Sequence, residues 1–154
     1  MGKVPVSKQV HKQGEQGMKA LVAEDDFASR KVMSHILSKY GECDFTVDGR
    51  ETITAFNMSL ETEEPYDLVC LDILMPELDG YEVLKTIRRM ETEKNLDKEH
   101  QVKVIMTSAL SERKNVDKAF ELGCDAYAGK PIATEKFEKE LCKLGVISEV
   151  ITAK

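Results

Sequence analysis

The chain has 154 residues, a formal net charge of −6, 32% charged and 42% hydrophobic side chains; that length buries one core without disulfide or metal staples and fits a single domain. The composition is that of an ordinary globular domain and excludes the fibrous, disordered and membrane-spanning classes. Its 22 basic residues are spread along the chain and outnumbered by 28 acidic ones, so direct nucleic-acid binding is excluded as the main activity, because a phosphate backbone needs clustered Lys and Arg.

Residues 1–17, MGKVPVSKQVHKQGEQG, contain no apolar run of signal-peptide length, and no later segment approaches the roughly 20 apolar residues of a membrane span. They read as a flexible N-terminal extension of a cytoplasmic protein. From Met18 the hydrophobic period alternates between strand and helix spacing. A first strand, Lys19 to Ala23, runs into Glu24, Asp25 and Asp26. A helix follows over Ala28 to Tyr40, with Val32, Met33, Ile36 and Leu37 as its core face and Gly41 as its C-terminal cap. The second strand, Cys43 to Val47, ends without comparable chemistry and leads to a helix over Arg50 to Leu60. The third strand, Leu68 to Leu71, is apolar throughout and closes on Asp72. Pro76 and Gly80 then fix a turn before a helix over Gly80 to Glu93. A long connection, METEKNLDKEHQ, reaches the fourth strand, Val102 to Met106, which closes on Thr107 and Ser108. A helix over Glu112 to Leu122, capped by Gly123, precedes the fifth strand, Ala126 to Ala128, and Lys130 stands directly after it. A last helix, Thr134 to Leu144, is capped by Gly145, and residues 146–154 read as a short tail. Cys43, Cys70, Cys124 and Cys142 are widely spaced and read as reduced, mostly buried residues.

Strands alternating with helices of this length imply parallel βαβ units with right-handed crossovers and helices on both faces of the sheet. In such a doubly wound α/β fold, with strand order 2-1-3-4-5, ligands bind outside the carboxyl ends of the strands. Glu24, Asp25 and Asp72 then converge on one crevice. Three carboxylates so close are tolerable only with a neutralising cation. All-oxygen ligation favours a hard divalent ion, Mg2+ first and Mn2+ as the alternative. Lys130 can reach the Asp72 carboxylate or a phosphoryl oxygen, and Thr107 can donate a hydroxyl hydrogen bond. Singly, each feature has a plainer reading: acids suited to a helix N-terminus, an Asp that starts a turn, a solvated loop lysine. Together they describe a phosphoryl-accepting site.

LVAEDD, LDILMPELDG, VIMTSA and GCDAYAGKP resemble the successive signatures of response-regulator receiver domains of two-component signalling, over about residues 18–145. The resemblance implies a flavodoxin-like fold and a stand-alone, chemotaxis-regulator-like role. It makes Asp72 the phosphoacceptor and Glu24 with Asp25 the acid pair; Arg30, five positions beyond Asp25, fits this register better than one starting at Asp25-Asp26. By the same carry-over Asp25, Asp72 and the Leu74 backbone carbonyl hold the metal directly and Glu24 does so through water. Lys130 ties phosphate to the fifth strand loop, and Thr107 and Tyr127 form the switch pair. Ser108 departs from the usual Ala or Gly, and the 91–102 connection is long.

The implied donor is a phosphohistidine on a sensor histidine kinase or histidine phosphotransfer protein, and the implied readout surface spans Glu112 to Leu122 and Ala126 to Leu144. Ten residues follow Leu144, so output is expected through a downstream protein target or phosphorylation-linked homodimerisation, with no membrane involved. An Asp-nucleophile phosphatase would want a second Asp where Leu74 stands. A flavin module would need a Gly, Ser and Thr-rich phosphate loop where EDDFAS stands. The remaining rival is an interaction module that keeps the fold and is never phosphorylated.

Overall fold

The computed structural model describes residues 17–110 and 112–152. The expected N-terminal extension lies, apart from Gly17, outside the described residues. Five parallel strands form one sheet in the order β2-β1-β3-β4-β5: β1 Met18–Ala23, β2 Gly41–Thr46, β3 Leu68–Asp72, β4 Lys103–Ser108 and β5 Ala126–Gly129. The helices are α1 Phe27–Leu37, α2 Gly49–Glu61, α3 Gly80–Glu93, α4 Arg113–Glu121 and α5 Thr134–Lys143. The doubly wound order expected from the alternating periods is therefore the observed one.

Alternating side chains of the central strands feed two cores. Leu21, Val69, Leu71, Val104 and Met106 face Phe56, Leu84, Ile87 and Ala119 of α2, α3 and α4. On the other face Ala20, Val22, Leu68, Cys70 and Ile105 meet Met33, Ile36, Leu37, Phe137 and Leu141 of α1 and α5. β1 and β3 are covered on both faces and so read as continuous apolar runs. Burial of each such Leu or Ile stabilises the fold by about 1.5–3 kcal/mol. Asp26, Asp48 and Asp79 cap α1, α2 and α3, their carboxylates accepting from the amides of Ser29, Glu51 and Glu82.

Three expectations need correction. Val32 is 41% exposed and lies off the core face of α1. Gly41 does not cap α1, which ends at Leu37; it opens β2, where a Cβ would lie 1.8 Å from the Met18 carbonyl oxygen. Gly123 and Gly145, by contrast, have the positive φ of C-terminal caps. Cys70 and Cys124 are buried, whereas Cys43 and Cys142 are only partly so; all four are free.

The long connection is folded back on α3. Buried Glu91 accepts from the Val102 amide at 2.7 Å, and Arg88 bonds to Glu91, Asp125 and the carbonyls of Val102 and Gly123. Beyond α5, Val146 and Ile147 enter the core. The Ile151 amide donates to the Tyr40 hydroxyl at 3.0 Å, and that hydroxyl donates to buried Glu138 at 2.8 Å.

Candidate functional site

The carboxyl ends of β1, β3, β4 and β5 meet at one rim, and the register sets which residues face one another there. Asp72 pairs with Thr107 across β3 and β4. The Ile73 amide donates to the Thr107 carbonyl at 3.2 Å, extending the ladder one residue past the carboxylate. Asp72, Thr107 and Glu24 are all buried, while Asp25 is exposed. Glu24, Asp25 and Asp72 each place a carboxylate oxygen within 4.8 Å of the other two.

Lys130 reaches into this group from the loop after β5. Its ammonium lies 2.6 Å from Glu24 Oε1 and 3.2 Å from Asp72 Oδ2. Burial, then the Glu24 charge, pushes the Asp72 carboxyl up to about 6 against the opposing pull of Lys130. Burial works against the Lys130 ammonium, but the Glu24 hydrogen bond and the two carboxylate charges outweigh it, so its pKa is raised. One lysine cannot balance three carboxylates. A donor set made wholly of oxygens, deficient in positive charge and open to solvent at Asp25, fits a hard divalent cation such as Mg2+.

The acid pair is set by local capping. Asp26 is used as the α1 cap, while its amide donates to Glu24 Oε2 at 3.1 Å, and the Arg30 guanidinium donates to the Glu24 carbonyl at 3.1 Å. Glu24 and Asp25 are left to face Asp72. Below Asp72, the Leu74 amide donates to Oδ1 at 3.3 Å, with the Leu74 side chain exposed. Gly80 fits because a Cβ there would stand 2.5 Å from the Asp72 carbonyl oxygen; only a bare Cα lets α3 start so close to the site. Similarly, a Cβ on Gly49 would meet the Leu78 carbonyl at 2.4 Å, so α2 braces the loop that follows Asp72.

Ser108 is fully buried, and its hydroxyl accepts from the Leu110 amide at 2.9 Å. It therefore shapes the β4–α4 loop. Tyr127 is half-buried and donates to the Leu110 carbonyl, so it holds the same loop from β5. Sequence reasoning missed Tyr81, which is buried on the first turn of α3 and bonded to α4; an aromatic directly after Asp79-Gly80 was its only sign.

Residues 20–141 match the family model described as the response regulator receiver domain. Curated relatives include a "Probable transcriptional regulator ycf27" of Cyanophora paradoxa, 34% identical over 82% of this chain and 47% of that protein. Another is the hybrid signal transduction histidine kinase A of Dictyostelium discoideum, 32% identical over 82% of this chain and 6% of that protein. The chain thus spans less than half the length of these relatives. Among solved structures, the CheX–CheY complex with BeF3 and Mg2+ from Borrelia burgdorferi has a TM-score of 0.70 and 27% identity, covering 83% of this chain and 89% of that one. The N-terminal domain of an uncharacterized Wolinella succinogenes protein has a TM-score of 0.66 and 31% identity over 83% and 94% of the two chains.

Proposed function

The chain belongs to the response regulator receiver domain family of two-component signalling, and from that premise we propose that it accepts a phosphoryl group on Asp72 and uses it to switch a partner-binding surface. The observation that carries the reading is the contact of Lys130 with both Glu24 and Asp72, in a cluster that also holds Asp25. The donor is a phosphohistidine on a sensor histidine kinase or a histidine phosphotransfer protein. An Asp72 carboxylate oxygen attacks phosphorus as the phosphorus–nitrogen bond breaks; the imidazole leaves with that electron pair, and an acyl phosphate is formed.

Positioning and charge stabilisation carry most of such a transfer, so few side chains suffice. Asp25, Asp72, the Leu74 carbonyl and, through water, Glu24 would hold Mg2+ or Mn2+, which supplies positive charge against the phosphoryl oxygens. Lys130 would donate to a phosphoryl oxygen and keeps Asp72 oriented through its salt bridge. Thr107, beside Asp72 in the register, supplies the hydroxyl that follows the new charge. Tyr127 moves with it, because its bond to Leu110 joins β5 to the loop after Ser108.

The surface that changes spans α4, β5 and α5. A groove of about 330 Å³ lies on its β5–α5 part, lined by Tyr127, Lys130, Ile132, Lys136, Phe137 and Glu140, and a downstream protein docks there or a second copy pairs across it. No helix of the described residues is long and apolar enough to cross a membrane, in keeping with a cytoplasmic site of action. Lys130, held against Glu24 and Asp72, would also assist loss of the phosphoryl group, and a metal held by the acid cluster would supply charge there, so the domain would contribute to its own reset.

The test is incubation with Mg2+ and acetyl phosphate, or with beryllofluoride, of the wild type and Asp72→Asn. Acid-labile phosphate on the wild type alone supports the reading. A wild type that takes up no phosphate and binds no beryllofluoride leaves the interaction-only module standing instead.

A further inference from the structure

The phosphorylation reading makes no use of Tyr81. It follows Gly80, whose Cα lies against the Asp72 backbone, so its position is fixed by the loop that carries the acceptor. The ring is buried, 8% exposed. Its hydroxyl donates to the Asn115 carbonyl at 3.1 Å, with Asn115 Oδ1 at 3.5 Å, and the Lys118 ammonium lies 4.3 Å above its ring. Asn115 and Lys118 are both on α4.

That helix has little else to hold it. It is nine residues long, its N-cap Glu112 makes no side-chain cap bond, and only Ala119 is buried. Phe120, its largest apolar side chain, is 46% exposed. A helix this short does not persist in water without tertiary support, and one buried alanine with the partly buried Leu122 at the C-cap supplies little. The Tyr127–Leu110 bond restrains the loop before α4 but not the helix itself.

We propose that Tyr81 is a positioning residue that clamps α4 to the first turn of α3, and through that turn couples α4 to the Asp72 loop. The second half of this statement rests on phosphorylation at Asp72; the first half does not. With the clamp closed, α4 is docked. Any ligand at Asp72 that favours a displaced α4 must open the clamp first, so by linkage the clamp lowers affinity for that ligand by the factor by which it stabilises the docked helix.

Tyr81→Phe keeps the ring and the Lys118 contact and removes only the O–H donor, so it leaves the core filled. Amide hydrogen exchange without Mg2+ is expected to be about fivefold faster across residues 116–122, the effect of one lost hydrogen bond, and unchanged within about twofold in β1, β3 and β4. With Mg2+ present, beryllofluoride is expected to bind the variant more tightly by up to the same factor. Wild-type exchange in α4, or an equal acceleration throughout the sheet, overturns the clamp. Faster α4 exchange with unchanged beryllofluoride affinity overturns its coupling to Asp72. If α4 exchange accelerates while neither protein binds beryllofluoride, the clamp stands and the phosphorylation reading fails.

Discussion

Replacing Asp72 with Asn should stabilise the protein, and the pH dependence of that gain tests the electrostatics of the site. Burial and Glu24 lift the Asp72 carboxyl from its ordinary 3.8 to about 6, so the folded state holds that proton more tightly than the unfolded chain does. Above pH 6 the side chain is ionised in both states and the fold bears the full penalty. The penalty shrinks as pH falls through 6 and is gone below 3.8, where both states are protonated. Two pKa units correspond to about 3 kcal/mol. Asn fills the same volume without the charge, and Lys130 keeps its Glu24 partner at 2.6 Å. In EDTA at pH 7.5, urea and thermal unfolding followed by circular dichroism should therefore show Asp72→Asn more stable by about 1–3 kcal/mol after solvent screening, a Tm gain of roughly 2–12 °C. The difference should fall steadily towards zero near pH 4. Equal stabilities at pH 7.5, or a gain that does not change with pH, would refute the view that burial and Glu24 dominate over Lys130.

Gly80→Ala places a methyl 2.5 Å from the Asp72 carbonyl oxygen and is expected to cost about 1–3 kcal/mol in urea titrations, with reduced acetyl-phosphate labelling; stability within about 0.5 kcal/mol of wild type would show that α3 can retreat freely. Arg88→Ala strands Glu91, 1% exposed, and should cost about 3–5 kcal/mol, read by the same titration. Tyr40→Phe removes a hydroxyl that serves Glu138 and the Ile151 amide; a loss of about 1–3 kcal/mol is expected, together with faster exchange at Ile151. An unaltered Ile151 rate would mean that the last described residues are held without the Tyr40 hydroxyl, by Val146, Ile147 and the Lys39 ammonium on the Ile151 carbonyl.

What sequence reasoning could reach is set by where chemistry and periodicity coincide. Asp72 and Thr107 lie at the carboxyl ends of apolar strands and Lys130 directly follows one, and a parallel sheet brings such ends together whatever the loops do. The choice of Glu24 and Asp25 over Asp26 rested on the position of Arg30, and the structure uses both, Asp26 as a cap and Arg30 on the Glu24 carbonyl. Val32 misled because it lies about 90° from the centre of the face formed by Met33, Ile36, Leu37 and Tyr40, at the edge where spacing alone cannot decide burial. Gly41 misled because a glycine after a helix serves equally as a cap or as room for a neighbouring backbone. The ionic cluster of Arg88, Glu91 and Asp125 left no trace, since charged residues on a polar-looking helix are normally solvated. The bond between the Leu110 amide and the Ser108 hydroxyl left no sign in the sequence, because a side chain that short is aimed by backbone geometry.

Those same ionic contacts give α3 the character of a lever. Arg88 and Glu91 fasten its carboxyl end to Val102, the residue before β4, and to the turn before β5, while its amino end rests on Asp72 through Gly80 and on α4 through Tyr81. From Gly80 to Arg88 and Glu91, at 1.5 Å per residue, the arm is about 12–17 Å long. With its fulcrum at those anchors, a displacement of about 1 Å beside the acceptor needs a tilt of only about 3.5–5° over that length.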